Sequence, residues 1–267
     1  MIELFCRLAV AAGESILDVR SQGIEVAHKS DCSPVTEADR RAEALITSGL
    51  AEALSDIPLV AEEAMSAGRC PAELGRRFLL VDPLDGTREF IEGRADFTVN
   101  IALIEDGVPV AGVVYAPVRR QVFAAESGRA FKQTAAADLS LSAPRPIACR
   151  PLATPPCIVA SKSHRTAETN AFIARFPQAE TASIGSSLKF CLLAEGSADL
   201  YPRFGRTMEW DTAAGDAVLR TAGGKTLTPD GEPLRYGKRQ QAADADFANP
   251  FFIAGSAAAL ARCDFAA

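Results

Sequence analysis

The sequence predicts an α+β half followed by an α/β half. Three observations lead there. Two amphipathic helical patterns open the chain, a series of β-branched segments with a hairpin turn fills its middle, and short strands alternate with helices after residue 156.

Ile2, Leu4, Phe5, Leu8, Ala9, Ala12, Ile16 and Leu17 recur at helical spacing and predict a helix from Ile2 to about Arg20. Gly23 to Ser33 is polar and turn-rich, a loop or hairpin. Thr36 can cap a second helix from Glu37 to about Leu54, with Asp39 in its first turn and Ala38, Ala42, Leu45, Ile46, Gly49, Leu50 and Ala53 on its buried face. Ile57 to Ala61 reads as a strand ending at Glu62-Glu63, and Phe78 to Val81 as a strand ending at Asp82, with Ala64 to Arg77 a mobile excursion between them. Phe97–Ile104 and Val108–Tyr115 form a hairpin around Glu105-Asp106-Gly107, and Gln121–Glu126 adds a further strand. Between Thr134 and Pro156 the pattern dissolves into Ala, Ser, Pro and Arg, which places a boundary between an N-terminal domain of residues 1–145 and a C-terminal domain of residues 146–267. Beyond it come a strand at Cys157–Ser161, helices at Ala167–Phe176 and Ser187–Glu195, a strand at Ala198–Tyr201, a helix at Thr212–Ala222 stopped by Gly223-Gly224, and a late strand at Phe251–Ala254.

Hydrophobic residues make up 48% of the 267 positions and charged residues 23%, which excludes a disordered chain. A net charge of −6 argues against a nucleic acid polymer as partner. Seven cysteines without a Cys-x-x-Cys fit a reducing compartment, and two histidines, His28 and His164, are too few for a histidine-built zinc site. The N-terminus has no signal-peptide pattern, and no apolar run reaches membrane-spanning length.

The chemistry concentrates in Val81-Asp82-Pro83-Leu84-Asp85-Gly86-Thr87. An apolar strand running into Asp-Pro-x-Asp-Gly brings two carboxylates onto one tight bend. Two such anions repel unless a cation lies between them, and oxygen donors of this kind suit Mg2+. A lone Asp-Pro or Asp-Gly pair is more often only a turn, and Asp39 taken alone would be a capping acid. The balance shifts because acids recur at the ends of other apolar segments, at Glu62-Glu63, Asp39 and Asp211.

Asp82-Pro83-Leu84-Asp85-Gly86-Thr87 and Glu209-Trp210-Asp211-Thr212-Ala213-Ala214-Gly215 together resemble the two signatures of the inositol monophosphatase superfamily, over nearly the whole chain. The resemblance implies a layered α-β-α-β-α sandwich and a Mg2+-dependent, lithium-sensitive phosphatase with two to three ions per site. Matched residue by residue, it assigns Glu62, Asp82 and the Leu84 carbonyl to a first metal, and Asp82, Asp85 and Asp211 to a second. A third, weaker ion would lean on Glu62 and water. Asp39 and Thr87, with Glu62, would position and deprotonate the attacking water. Ala61 and Ala64-Met65 depart from the residues often found around the Glu-Glu pair, which bears on the loop more than on the ligands.

Four further stretches, Ser33–Asp39, Ser161–Arg165, Gly185–Cys191 and Ala198–Arg203, are similar to the bacterial bisphosphate nucleotidase branch, whose members remove the 3'-phosphate of 3'-phosphoadenosine 5'-phosphate. The expected partner is a phosphorylated nucleotide. Gly86, Thr87, Ser161, His164, Ser187, Lys189, Arg203 and Asp211 are the expected substrate contacts, with Lys29 and Arg203 each equally well read as solvated charges. Trp210 reads as packing and the cysteines as structural. Two alternatives stay open: another small phosphate such as inositol monophosphate or fructose 1,6-bisphosphate, and a non-catalytic regulatory protein of the same fold. The branch also implies a cytoplasmic monomer or homodimer, with or without peripheral attachment to the inner membrane.

Overall fold

A computed structural model describes residues 1–28, 34–161 and 165–263. The chain opens with α1 (Ile2–Gln22), β1 (Val26–His28), β2 (Pro34–Thr36) and α2 (Glu37–Ala53). Next come β3 (Leu59–Ala61), α3 (Glu62–Ser66), β4 (Arg77–Asp85) and α4 (Thr87–Ile91). β5 (Thr98–Glu105), β6 (Val108–Ala116), β7 (Gln121–Glu126), β8 (Arg129–Thr134) and β9 (Arg145–Pro146) form an antiparallel meander. The remainder is β10 (Cys157–Ser161), α5 (Ala167–Ala174), β11 (Glu180–Ile184), α6 (Leu188–Ala194), β12 (Leu200–Arg203), α7 (Glu209–Thr221), β13 (Gly224–Leu227), β14 (Phe252–Ser256) and α8 (Ala257–Leu260).

These elements stack in five layers. β3 to β9 make one seven-stranded sheet in sequence order, and β11-β10-β12-β14-β13 make a five-stranded sheet. α1 and α2 cover one face of the larger sheet, burying Phe5, Ala9, Ile16, Ala42 and Ile46 against Leu79, Val81, Val99, Ile101 and Val113. α6 and α7 lie between the two sheets, where Phe190, Trp210, Ala214 and Val218 pack with Phe78, Leu80, Ile104 and Val114. α5 and α8 close the outer face of the smaller sheet over Ile158, Leu200 and Ile253. This is the α-β-α-β-α sandwich that the sequence motifs imply.

Several boundaries differ from the sequence reading. β4 does not end at Asp82: it pairs with β5 through Asp82↔Asn100 and Asp85↔Thr98, with a register shift between them. Pro83 and Leu84 occupy that irregularity, so the chain bends without leaving the sheet. Glu62 opens α3 rather than ending a strand, and Leu74 in the segment behind it is buried in the core between the sheets. α7 begins at Glu209, not near Thr212, because the Glu209 carboxylate accepts from the Gly237 and Lys238 amides at 2.6 and 2.9 Å, a tie the local sequence does not announce. On α2, Ala53 is exposed and Glu43 takes a buried place that the pattern assigned to apolar residues alone. Trp210 is core, with its ring 6.2 Å from that of Phe247. The described cysteines at 6, 70, 149, 157, 191 and 263 are all free thiols.

Candidate active site

The alternation of β4 and β5 sets the site. Phe78 and Leu80 face α7, so Asp82 faces α7 as well; Ala102 and Ile104 face α7, so Thr98 and Asn100 do too. The apolar face of the sheet thus turns polar where α7 begins, and all three polar residues are almost fully buried.

Asp82 accepts from the Leu84 amide at 3.0 Å, which folds the Asp-Pro-Leu segment back on itself. Gly86 follows in the left-handed region (φ 95°), and a Cβ there would lie 3.1 Å from the Asp96 carbonyl. The turn delivers Thr87, whose hydroxyl reaches Asp39 Oδ1 and the Leu84 carbonyl, each at 3.2 Å. Asp39 performs two jobs. Its Oδ2 accepts from the Thr36 amide and hydroxyl, both at 2.7 Å, in a capping box, while its Oδ1 faces Thr87. The cap uses Oδ2 and the contact with Thr87 uses Oδ1, so the two do not compete for one oxygen.

Glu62 is held through its neighbour. Glu43, 6% exposed on α2, accepts from the Glu63 amide at 2.7 Å and so anchors the start of α3. Asp211 sits in the first turn of α7 and accepts from the Met208 amide at 2.8 Å. Asn249 supports the same turn, donating to the Met208 carbonyl at 2.8 Å and to the Thr212 hydroxyl at 3.0 Å.

Two buried cations share the cavity with these acids. Lys189 is 4% exposed and donates to the Ser186 and Ile184 carbonyls at 2.6 and 3.2 Å, with its ammonium 5.1 Å from the Tyr201 ring centroid. Arg203, 8% exposed, donates from Nη2 to the Arg206 carbonyl at 2.9 Å, while its buried Nε has no hydrogen-bond partner among the described residues. Acids and bases share one cavity of about 260 Å³, lined by Glu62, Asp85, Gly86, Thr87, Ser161, Ser187, Lys189, Arg203 and Asp211 among others. Asp39, Asp82 and Leu84 stand behind that lining rather than in it. Ser187 lines the cavity, yet its amide and hydroxyl are engaged by the protein, at 2.6 and 3.0 Å from Asp85 Oδ2. Lys29 and His164 lie outside the described residues. Sequence reasoning missed Arg88, Ser186, Arg206 and Thr207, which also line the cavity. Ser186 is a non-glycine residue at φ 54°, a strained conformation that no local pattern marks.

The electrostatics favour a cation. Burial holds Asp82 well above the usual carboxylate range, and repulsion from Glu62, Asp85 and Asp211 adds to it. Burial likewise raises Asp211, with Asp85 and Glu62 reinforcing it, and raises Asp85 against the pull of Lys189 and the Ser187 donors. Burial pushes Lys189 down to about 8, against the attraction of Asp85. Among the described residues no three acidic, histidine or cysteine side chains close into a finished cage. An open set of carboxylates with one carbonyl nonetheless suits Mg2+, which keeps several waters of its own. The donor chemistry fits the metal.

A sign follows for the metal-free protein. Asp82 and Asp211 have folded values above their unfolded ones, so their contribution to stability is complete below about pH 4 and is lost as pH rises through the raised values. A divalent cation removes that loss. The Mg2+-induced rise in melting temperature is therefore expected to grow as pH rises above the ordinary carboxylate range, and calorimetry showing the same rise at every pH would contradict this assignment of the acids.

Comparison with known proteins places this geometry. The model of the inositol monophosphatase family matches residues 1–261. The 3'(2'),5'-bisphosphate nucleotidase CysQ of Escherichia coli K12 is 44% identical over 254 residues, covering 94% of this chain and 98% of that protein. The enzyme of the same name from Buchnera aphidicola is 39% identical over 238 residues, covering 88% and 87%. Among solved structures, CysQ from Bacteroides thetaiotaomicron superposes with a TM-score of 0.78 at 36% identity, covering 96% of each chain. An inositol monophosphatase from Thermotoga maritima superposes at 0.74 with 23% identity, over 95% of this chain and 91% of that one, a likeness of fold alone.

Proposed function

This chain belongs to the inositol monophosphatase family, and from that membership we propose that it hydrolyses the 3'-phosphate of 3'-phosphoadenosine 5'-phosphate, giving AMP and inorganic phosphate. One observation carries the reading: a single cavity is lined both by the acids Glu62, Asp85 and Asp211 and by the buried cations Lys189 and Arg203. A monophosphate needs only the acids and their metal. The guanidinium of Arg203, whose buried Nε has no hydrogen-bond partner among the described residues, suits a second phosphate on the same substrate.

Glu62, Asp82, the Leu84 carbonyl, Asp85 and Asp211 would hold Mg2+, which when bound neutralises phosphate oxygens and lowers the pKa of water. The rest is the work of the chain. Thr87 Oγ holds the attacking water, and its own proton is directed to Asp39 Oδ1. Asp39, with its other oxygen fixed by Thr36, is the group that takes up the proton. Water supplies oxygen to phosphorus, the P–O bond to the 3'-oxygen breaks, and that oxygen takes a proton from solvent water as Asp39 returns its own to solvent. Residues 1–145 supply most of the metal ligands, and residues 146–267 supply Asp211 and the substrate-facing cations. The helices of the described residues include none long and apolar enough to cross a membrane.

The reading is tested by phosphate release with Mg2+ from 3'-phosphoadenosine 5'-phosphate beside inositol 1-phosphate. The expected result is release from the nucleotide with a kcat/KM at least tenfold higher, reduced by Li+. A preference for inositol 1-phosphate would keep the acids and overturn the role given to Lys189 and Arg203.

A further inference from the structure

Asn100 is 1% exposed at the centre of the large sheet and does not line the cavity. Its Nδ2 donates to Ser187 Oγ at 3.0 Å. Ser187 Oγ in turn lies 2.5 Å from the Asp211 carbonyl and 3.0 Å from Asp85 Oδ2, and the Ser187 amide donates to the same Asp85 oxygen at 2.6 Å. A serine hydroxyl has one proton and two lone pairs. The proton can go to only one of the two acceptors; the Asp211 carbonyl is the nearer, Asp85 already has the Ser187 amide, and either choice points the proton away from the Asn100 donor. Only a donor can face the oxygen from the β5 side, and the Asn100 amide fills that place. The cost is visible: among the described residues Asn100 Oδ1 is buried with no hydrogen-bond partner, and so is the hydroxyl of Thr98 two residues earlier on the same face. Keeping such unpaired groups inside a sheet is unfavourable, so a purely structural role is a poor account of them.

We infer that Asn100 is a positioning residue for the acidic groups: by donating to Ser187 Oγ it turns the hydroxyl proton toward the Asp211 carbonyl while the Ser187 amide holds Asp85 Oδ2, so that Ser187 links Asp85 to the first turn of α7 and sets the spacing of two acids contributed by opposite halves of the chain. Ser187 is on this view part of the frame and not a contact for substrate. The inference rests on the assignment of Asp85 and Asp211 as metal ligands, and it makes Asn100 act on metal binding before any substrate is present.

The test is a double-mutant cycle on the protein with Asn100→Leu, which keeps the branching at Cγ without a donor, Ser187→Ala, and the pair; Asn100→Ser is carried as a second variant in case the larger leucine does not fold. Two readouts are taken: the Mg2+ concentration giving half of the maximal rise in melting temperature without substrate, and the Mg2+ concentration for half-maximal turnover. Asn100→Leu is expected to raise both by about tenfold, the range seen for groups that orient metal ligands. Its metal-free melting temperature should be equal to wild type or higher, because a buried unpaired acceptor has been removed. Ser187→Ala should do the same to Mg2+, and the double variant should be no worse than Ser187→Ala alone. Unchanged Mg2+ midpoints, or midpoint shifts that multiply in the double variant, would overturn the inference. A wild-type protein that releases no phosphate from the nucleotide but still shows the cycle in the substrate-free melts would retire the proposed substrate and leave this inference standing.

Discussion

Asp85→Asn is expected to abolish phosphate release, by on the order of 10³-fold or more, while raising the melting temperature of the metal-free protein. The two effects have one origin. Asp85 is a buried carboxylate whose charge is disfavoured by burial and which presses on Asp82 and Asp211. An asparagine keeps an oxygen for the Ser187 amide and removes the repulsion, so the empty fold gains. It also removes the charge for which the site was built, so turnover is lost, a trade between stability and activity typical of strained functional groups. Coupled melting and phosphate-release assays on the same sample check both signs. A variant that is inactive because it is less stable would refute this account, and an active one would remove Asp85 from the machinery.

Gly185→Ala should be the most damaging small substitution outside the acids. A Cβ at Gly185 would sit 2.5 Å from the Asp96 carbonyl and 3.0 Å from Glu89 Cγ. The carbonyl cannot step aside cheaply, because Asp96 is 9% exposed and its side chain is gripped by Arg119 at 2.5 Å. Overpacking of this kind costs about 1–3 kcal/mol, a fall of several degrees in melting temperature for a chain of this size. The displaced segment runs directly into Ser186 and Ser187, so turnover should fall by more than the loss of folded protein explains, roughly 10²-fold for a displacement near 1 Å. Melting curves and kcat measured at a temperature where both proteins are folded decide the point; wild-type values of both would show that the backbone yields.

The acids were legible because each ends or follows an apolar segment, which makes a charge conspicuous. Asp39, Glu62, Asp82, Asp85 and Asp211 stand out in the sequence on that ground, and the first two helices and the hairpin follow from their periodicity. What supports the acids was not legible. Glu43 reads as one more surface acid of α2, yet it holds the start of α3 from twenty residues away. Asn100 sits inside an apolar strand, and its partner Ser187 is 87 residues distant. Ser187 looked like a substrate contact because it lies in a motif, and only the fold shows its oxygen already engaged. β11 and β13 escaped notice since Glu180–Ile184 and Gly224–Leu227 carry little apolar alternation: β11 is an edge strand, half exposed, and β13 lies at the opposite edge.

The core between the two sheets has a bearing on how the protein is made. The large sheet is complete at Pro146, but the helix that covers its second face does not end until Thr221. At ribosomal speeds of roughly 5–20 residues per second, Phe78, Leu80, Ile104 and Val114 wait several seconds for Trp210, Ala214 and Val218 to emerge. Over that interval the nascent chain presents a sticky, unclad surface to its surroundings, which is the kind of surface that chaperones bind.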